Sequence, residues 1–147
     1  MAENKIFVLQ EKGSCGKSST IKNIFFLLIE KYHNTMIINS LKIHPSSNDI
    51  TAQIVINGLL IGIESQGDPN SILEQSLNIF AKANCNIIFC PARTSGMTKE
   101  WITSHSSKYK IHFHKQTIVE AKMRCWRKKQ FESNFNVAEQ LIKAAGL

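Results

Sequence analysis

The sequence contains no window of about 18 consecutive apolar residues, so no segment is built to cross a bilayer as a helix. A secretory leader is missing too. Met-Ala-Glu-Asn-Lys runs straight into a strand-like segment, without the basic start, apolar stretch and small-residue cleavage site of a signal peptide. Both absences point to a cytosolic protein. Cys15, Cys85, Cys90 and Cys125 form no C-x-x-C spacing, which reads as free thiols and offers zinc no close ligand pair. His112 and His114 would share one face of a strand, but no third ligand lies nearby, so they read as core or surface histidines. There is no internal repeat, low-complexity tract or linker. Acid is scarce as well: 11 Asp and Glu stand against 18 Lys and Arg, a net charge of +7. Between Lys108 and Lys129, Glu120 is the single acid beside Lys108, Lys110, Lys115, Lys122, Arg124, Arg127, Lys128 and Lys129. Segment 108–129 is either a solvated basic helix or a face for nucleic acid, an acidic partner or phosphates.

What is present fits one domain over residues 1–147. With 43% apolar and 20% charged residues, the composition is that of an ordinary globular protein, long enough to bury roughly 70% of its unfolded surface. Lys5–Gln10 (KIFVLQ) is a short apolar run that suits a buried parallel strand. A helix over Lys17–Tyr32 follows, with Ile21, Ile24, Phe25, Leu28 and Tyr32 on one stripe. Residues 36–39 form a second strand and 42–48, with Pro45, a loop. Ile50–Ile56 and Leu59–Glu64 flank Asn57-Gly58, the signature of a type I′ hairpin. Loop 65–70 leads into a helix over 71–83, and 86–90 is an apolar strand stopped by Pro91. A helix over 98–108, a strand over 110–114 and a basic helix over 117–131 come next. In that helix Cys125 and Trp126 read as the core-facing anchor, with base stacking by Trp126 the alternative. A last helix over 137–145 has Asn136 as its N-cap and Glu139 returning the bond. Alternating strands and helices predict a three-layer α/β sheet, mainly parallel, with the hairpin adding one antiparallel strand at an edge.

The chemistry concentrates where the first strand meets the first helix. Gly13 and Gly16 let a turn fold without Cβ crowding, so that backbone N–H groups converge on phosphate oxygens at the positive end of the helix. Lys17 would reach the β and γ phosphates and Ser18 would ligate Mg²⁺. The expected phosphate-contacting set in this turn is Gly13, Ser14, Cys15, Gly16, Lys17, Ser18 and Ser19.

This segment resembles the P-loop NTPase superfamily. The usual pattern is G-x-x-x-x-G-K-[ST], whereas this chain reads Glu11-Lys12-Gly13-Ser14-Cys15-Gly16-Lys17-Ser18. Glu11 replaces the first glycine. The loop is closer to the K-G-G-x-G-K-[ST] variant of the partitioning and septum-placement ATPases, with Ser14 in place of the second glycine. That resemblance implies that Lys12 reaches a partner's nucleotide across a homodimer. The alternative is an exposed turn lysine.

A second resemblance covers the end of the hairpin, where Glu64-Ser65-Gln66-Gly67 looks like the D-x-x-G arrangement of Ras-like GTPases. It implies Glu64 as a metal-side residue at the end of a neighbouring strand, Gly67 as a phosphate sensor, and Gln66 or Asp68 as the water-orienting group. Asp68 has a second reading as a cap of the next helix. Asp49 lies where switch-type loops carry a metal or base residue, or is a plain loop aspartate. Arg93, after the 86–90 strand, would stabilise developing phosphoryl charge or anchor a carboxylate. Cys90-Pro91-Ala92-Arg93-Thr94 lacks the guanine-reading N-K-x-D motif, which favours ATP. The leading expectation is a Mg²⁺-dependent ATPase acting as a nucleotide switch through 45–49 and 65–69, alone or with a protein partner. A small-molecule or nucleotide kinase and a nucleic-acid-associated module are the alternatives.

Overall fold

The apolar runs become the centre of a single sheet. A computed structural model describes residues 3–10, 17–115 and 126–147, the side chains of Trp126 and Arg127 excepted. Its elements are β1 (Lys5–Gln10), α1 (Lys17–Tyr32), β2 (Ile37–Ile43), β3 (Ile50–Ile56), β4 (Leu59–Glu64), α2 (Leu73–Lys82), β5 (Ile87–Ala92), α3 (Met97–Thr103), β6 (Lys110–Lys115) and α4 (Trp126–Ala144). The six strands lie in the order β2-β3-β4-β5-β1-β6. β4, β5, β1 and β6 are parallel, and β3 alone runs against them, paired antiparallel to both β2 and β4.

Alternate residues feed two cores. Phe7, Leu9, Ile54, Ile63 and Phe89 face α1 and α4, burying Ile21, Ile24, Phe25, Leu28, Val137, Ala138 and Leu141. Ile6, Val8, Ile88 and Cys90 face the other layer, with Leu73, Leu77 and Phe80 of α2 and Ile102 of α3. Burial pushes the Cys85 thiol up to about 12 and the Cys90 thiol upward as well, so neither is a ready nucleophile. Cys15 and Cys125 lie outside the described residues. Among the described residues, no helix is long and apolar enough to cross a membrane.

Several expected boundaries move, each for a traceable reason. β2 runs to Ile43 rather than stopping at 39, because β3 offers ladder partners as far as Ile43↔Ile50. The loop therefore begins at His44 and closes tightly, with Asp49 O accepting from His44 N and His44 O accepting from Asn48 N, both at 2.8 Å. The antiparallel strand is not at the edge, since β2 lies outside β3. Pro91 does not stop β5. Pairing with β4 ends at Ile63↔Phe89, so beyond that point the missing N–H has no β4 partner to lose. α2 starts at Leu73 rather than 71, and α3 ends at Thr103 rather than 108. Asn136 is no cap. α4 runs unbroken from Trp126 to Ala144, because no Pro or Gly interrupts it and Val137, Ala138 and Leu141 bury against α1. Residues 117–125 of the expected basic helix lie outside the described residues.

Candidate functional site

Parallel strands gather their carboxyl ends on one edge of the sheet, the usual place for ligands in α/β proteins. Here that edge carries Gln10, Glu64, Ala92 and Lys115. β3 begins at the same edge, because Thr51 pairs with Glu64. The His44–Asp49 turn, the residues after β4, the residues after β5 and the head of α1 therefore converge. They enclose a cleft of about 360 Å³ lined by Ser18, Ser47, Asp49, Ser65, Gln66, Gly67, Asp68, Pro69, Asn70, Ser71 and Arg93. A larger groove of about 730 Å³, lined by Leu27, Glu30, Lys31, Phe135 and Glu139 among others, runs along the far half of α1 away from these groups.

Lys17 opens α1 and is 5% exposed. Ser18, the next residue, donates its hydroxyl to Asp49 Oδ1. The same carboxylate oxygen accepts from Ser65 Oγ at 2.7 Å. Ser65 is fully buried and its oxygen also accepts from Ile50 N at 2.9 Å, so it fixes the carboxylate toward α1. Burial alone would raise the pKa of Asp49. The hydroxyls of Ser18, Ser65 and Ser47 and the charge of Lys22 outweigh that, and hold it below the ordinary 3.8.

Glu64 is placed differently. One residue along a strand reverses the side chain's face. Ile63 packs in the α1 layer, whereas Glu64 turns to the α2 layer, where its Oε1 accepts from Ser76 Oγ at 2.5 Å and Thr51 Oγ1 at 2.7 Å. Its Oε2 accepts from Gln66 N at 3.0 Å. Because the Thr51 proton goes to Glu64, His44 Nε2, 2.9 Å from Thr51 Oγ1, must be the donor in that pair. Glu64 is fully buried, and burial raises its pKa despite those donors and the nearby His44. Its strand is not next to β1 either, since β5 stands between them, a separation of roughly 10 Å. Glu64 does not line the cleft; Asp49 does.

The remaining candidates divide. Gln66 lines the cleft, but its Oε1 accepts from Ile72 N at 3.2 Å, at the start of α2. Asp68 does not cap that helix, whose N-cap has no side-chain bond. Its carboxylate pairs with Arg93 Nη2 at 3.2 Å. Gly67 is pressed onto β5: a Cβ there would come within 2.7 Å of Pro91 Cγ and 2.9 Å of its carbonyl carbon. The glycine is needed for that close approach. Ser19 is exposed and lines a neighbouring groove with Lys22, Phe26 and Asn48. Lys12, Gly13, Ser14, Cys15 and Gly16 lie outside the described residues. In the basic stretch, Lys108 Nζ donates to Asn84 Oδ1 at 2.6 Å and to Ala81 O, tying down the end of α2.

His112 stacks on Phe7 with ring centroids 5.0 Å apart. Among the described residues, no three His, Cys, Asp or Glu side chains are grouped to hold a metal. The oxygen-only pair of Ser18 and Asp49 suits a hard cation that takes its other ligands from phosphate and water. Sequence reasoning missed Ser65 and Ser47. Ser65 was legible by counting outward from Asn57-Gly58, which sets residue 65 opposite residue 50 and beside Asp49. No family model, curated protein or solved structure matches this chain.

Proposed function

We propose that this chain is a small P-loop protein that binds ATP with Mg²⁺ and uses slow hydrolysis as a switch. The observation that carries the reading is the head of α1. Buried Lys17 and partly buried Ser18 follow strand β1 after a Gly-containing segment, and Ser18 is hydrogen-bonded to a carboxylate at the carboxyl edge of the sheet. In this reading Lys17 meets the distal phosphates, and Ser18 and Asp49 hold Mg²⁺. The ion, when bound, neutralises phosphate charge. Ser65 keeps Asp49 aimed, and Arg93 faces the terminal phosphoryl group from the opposite wall. The absence of N-K-x-D after β5 supports adenine over guanine.

A kinase would need a carboxylate with base strength near its acceptor. Asp49, held below 3.8 by three serine hydroxyls, is a poor base. The engagement of Lys108 with α2 takes one lysine out of a nucleic-acid face. The direct test is calorimetry with Mg²⁺–ATP. Lys17→Ala is expected to weaken binding by about 100-fold while the circular dichroism spectrum is unchanged. Equal affinity in the folded variant contradicts the reading.

A further inference from the structure

One contact across the cleft plays no part in holding the fold's core. Arg93 Nη2 donates to Asp68 Oδ1 at 3.2 Å, with the two side chains 44% and 66% exposed. The backbone of Arg93 is fixed on two sides. Its N–H donates to Thr98 Oγ1 at 3.1 Å, and its carbonyl accepts from Gln10 Nε2 at 3.3 Å. Its Nε is buried and has no acceptor. Nε and Nη2 form one edge of the guanidinium fork, the edge that grips an oxyanion with two parallel bonds. Asp68 fills only half of it.

Asp68 also belongs to a small unit. Its carbonyl accepts from Ser71 N at 3.1 Å and Ser71 Oγ at 2.6 Å. Ser71 Oγ in turn accepts from Leu73 N at 3.3 Å. Turn 68–71 is thus joined to the start of α2, and among the described residues its charged tie to the opposite wall is Arg93.

We propose that the Asp68–Arg93 pair is a latch that reports occupancy of the cleft. An exposed ion pair contributes little, so a phosphoryl group able to fill both Nε and Nη2 displaces the carboxylate. Arg93 stays in place on its backbone anchors, and turn 68–71 with the first turn of α2 is released as the moving part. This deepens the triphosphate reading and rests on it, naming how the bound state reaches the surface.

The test is hydrogen–deuterium exchange over 66–73 in the whole chain, with and without a non-hydrolysable ATP analogue and Mg²⁺, alongside calorimetry. In the wild type the analogue is expected to speed exchange of the Ser71 and Ile72 amides several-fold. Asp68→Asn should exchange fast without ligand and bind the analogue about threefold more tightly, having lost the competing carboxylate. Arg93→Lys, which keeps the charge but not the fork, should bind more weakly and leave exchange unaltered. Binding heat in the wild type with unchanged or slowed exchange at 66–73, or no gain in affinity for Asp68→Asn, overturns the latch while sparing the triphosphate reading. Absence of binding heat in every variant sinks that reading and the latch with it.

Discussion

Glu64 and Asp49 stand two ladder steps apart at the end of the same hairpin, yet they do opposite work. Glu64 faces the α2 layer and spends both oxygens on Ser76, Thr51 and the Gln66 N–H. Asp49 faces α1 and lines an open cleft with Ser18. Glu64 is held to the pleat of β4, whereas Asp49 precedes β3 and is aimed at α1 by the His44–Asp49 turn. A carboxylate's residue number says little until its face of the sheet is known, because helix α1 covers only one face.

That contrast is most easily broken at Glu64. Replacing it with Ala leaves two hydroxyls and an amide without an acceptor, and should cost about 3 kcal/mol in urea denaturation. Asp49→Ala, at a partly exposed turn residue that leaves only the buried Ser65 hydroxyl without its acceptor, should cost about 1 kcal/mol. Comparable losses would erase the distinction. Next in size is Gly67→Ala. Its methyl group meets the ring and backbone of Pro91, so a loss of about 2 kcal/mol is expected, with faster proteolysis of the 66–71 loop. Ser65→Ala leaves the buried Ile50 N–H without its acceptor and should cost about 1 kcal/mol while also weakening Mg²⁺-dependent binding.

The smallest effect is also the sharpest, because the two carboxylates predict opposite pH slopes. Asp49 has a depressed pKa. Its contribution is full above the ordinary 3.8 and lost as pH falls through the depressed value, so the stability gap between wild type and Asp49→Asn should close in acid. Glu64 has a raised pKa. Its contribution is full below the ordinary 4.5 and lost as pH rises through the raised value, so wild type should gain on Glu64→Gln as the solution is acidified. Chemical denaturation of the three proteins across the acid range measures both slopes. Parallel trends would contradict the assignment of faces.

Much of this architecture was legible in the chain. Lys5–Gln10, Lys17–Tyr32 and the hairpin emerge with the expected limits, because apolar period and turn chemistry agree there. Asn57 and Gly58 take φ angles of 51° and 80°, as a type I′ turn requires. Local signals failed where tertiary pairing decided the outcome. Lys42 looks like a loop residue but is drawn into β2 by β3, and Pro91 sits in a strand because β4 on one side has already ended while β1 pairs on to Ala92. Asn136 carries a good cap signature that the packing of α4 on α1 overrides. At the site, Ser18 and Asp49 were both candidates from sequence, but their contact was not, because a turn of unknown shape separates Asp49 from the helix. The expectation for Glu64 followed strand order, and the structure turns its side chain to Ser76 and Thr51.

The proposed function stands on Asp49, not Glu64, joining Ser18 to hold the nucleotide's metal. Titrating wild type, Asp49→Ala and Glu64→Gln with ATP, in Mg²⁺ and in EDTA, tests it most directly. Wild type and Glu64→Gln should each gain about tenfold in affinity from Mg²⁺, whereas Asp49→Ala should gain almost nothing. A Mg²⁺ gain that survives in Asp49→Ala and disappears in folded Glu64→Gln would contradict the account.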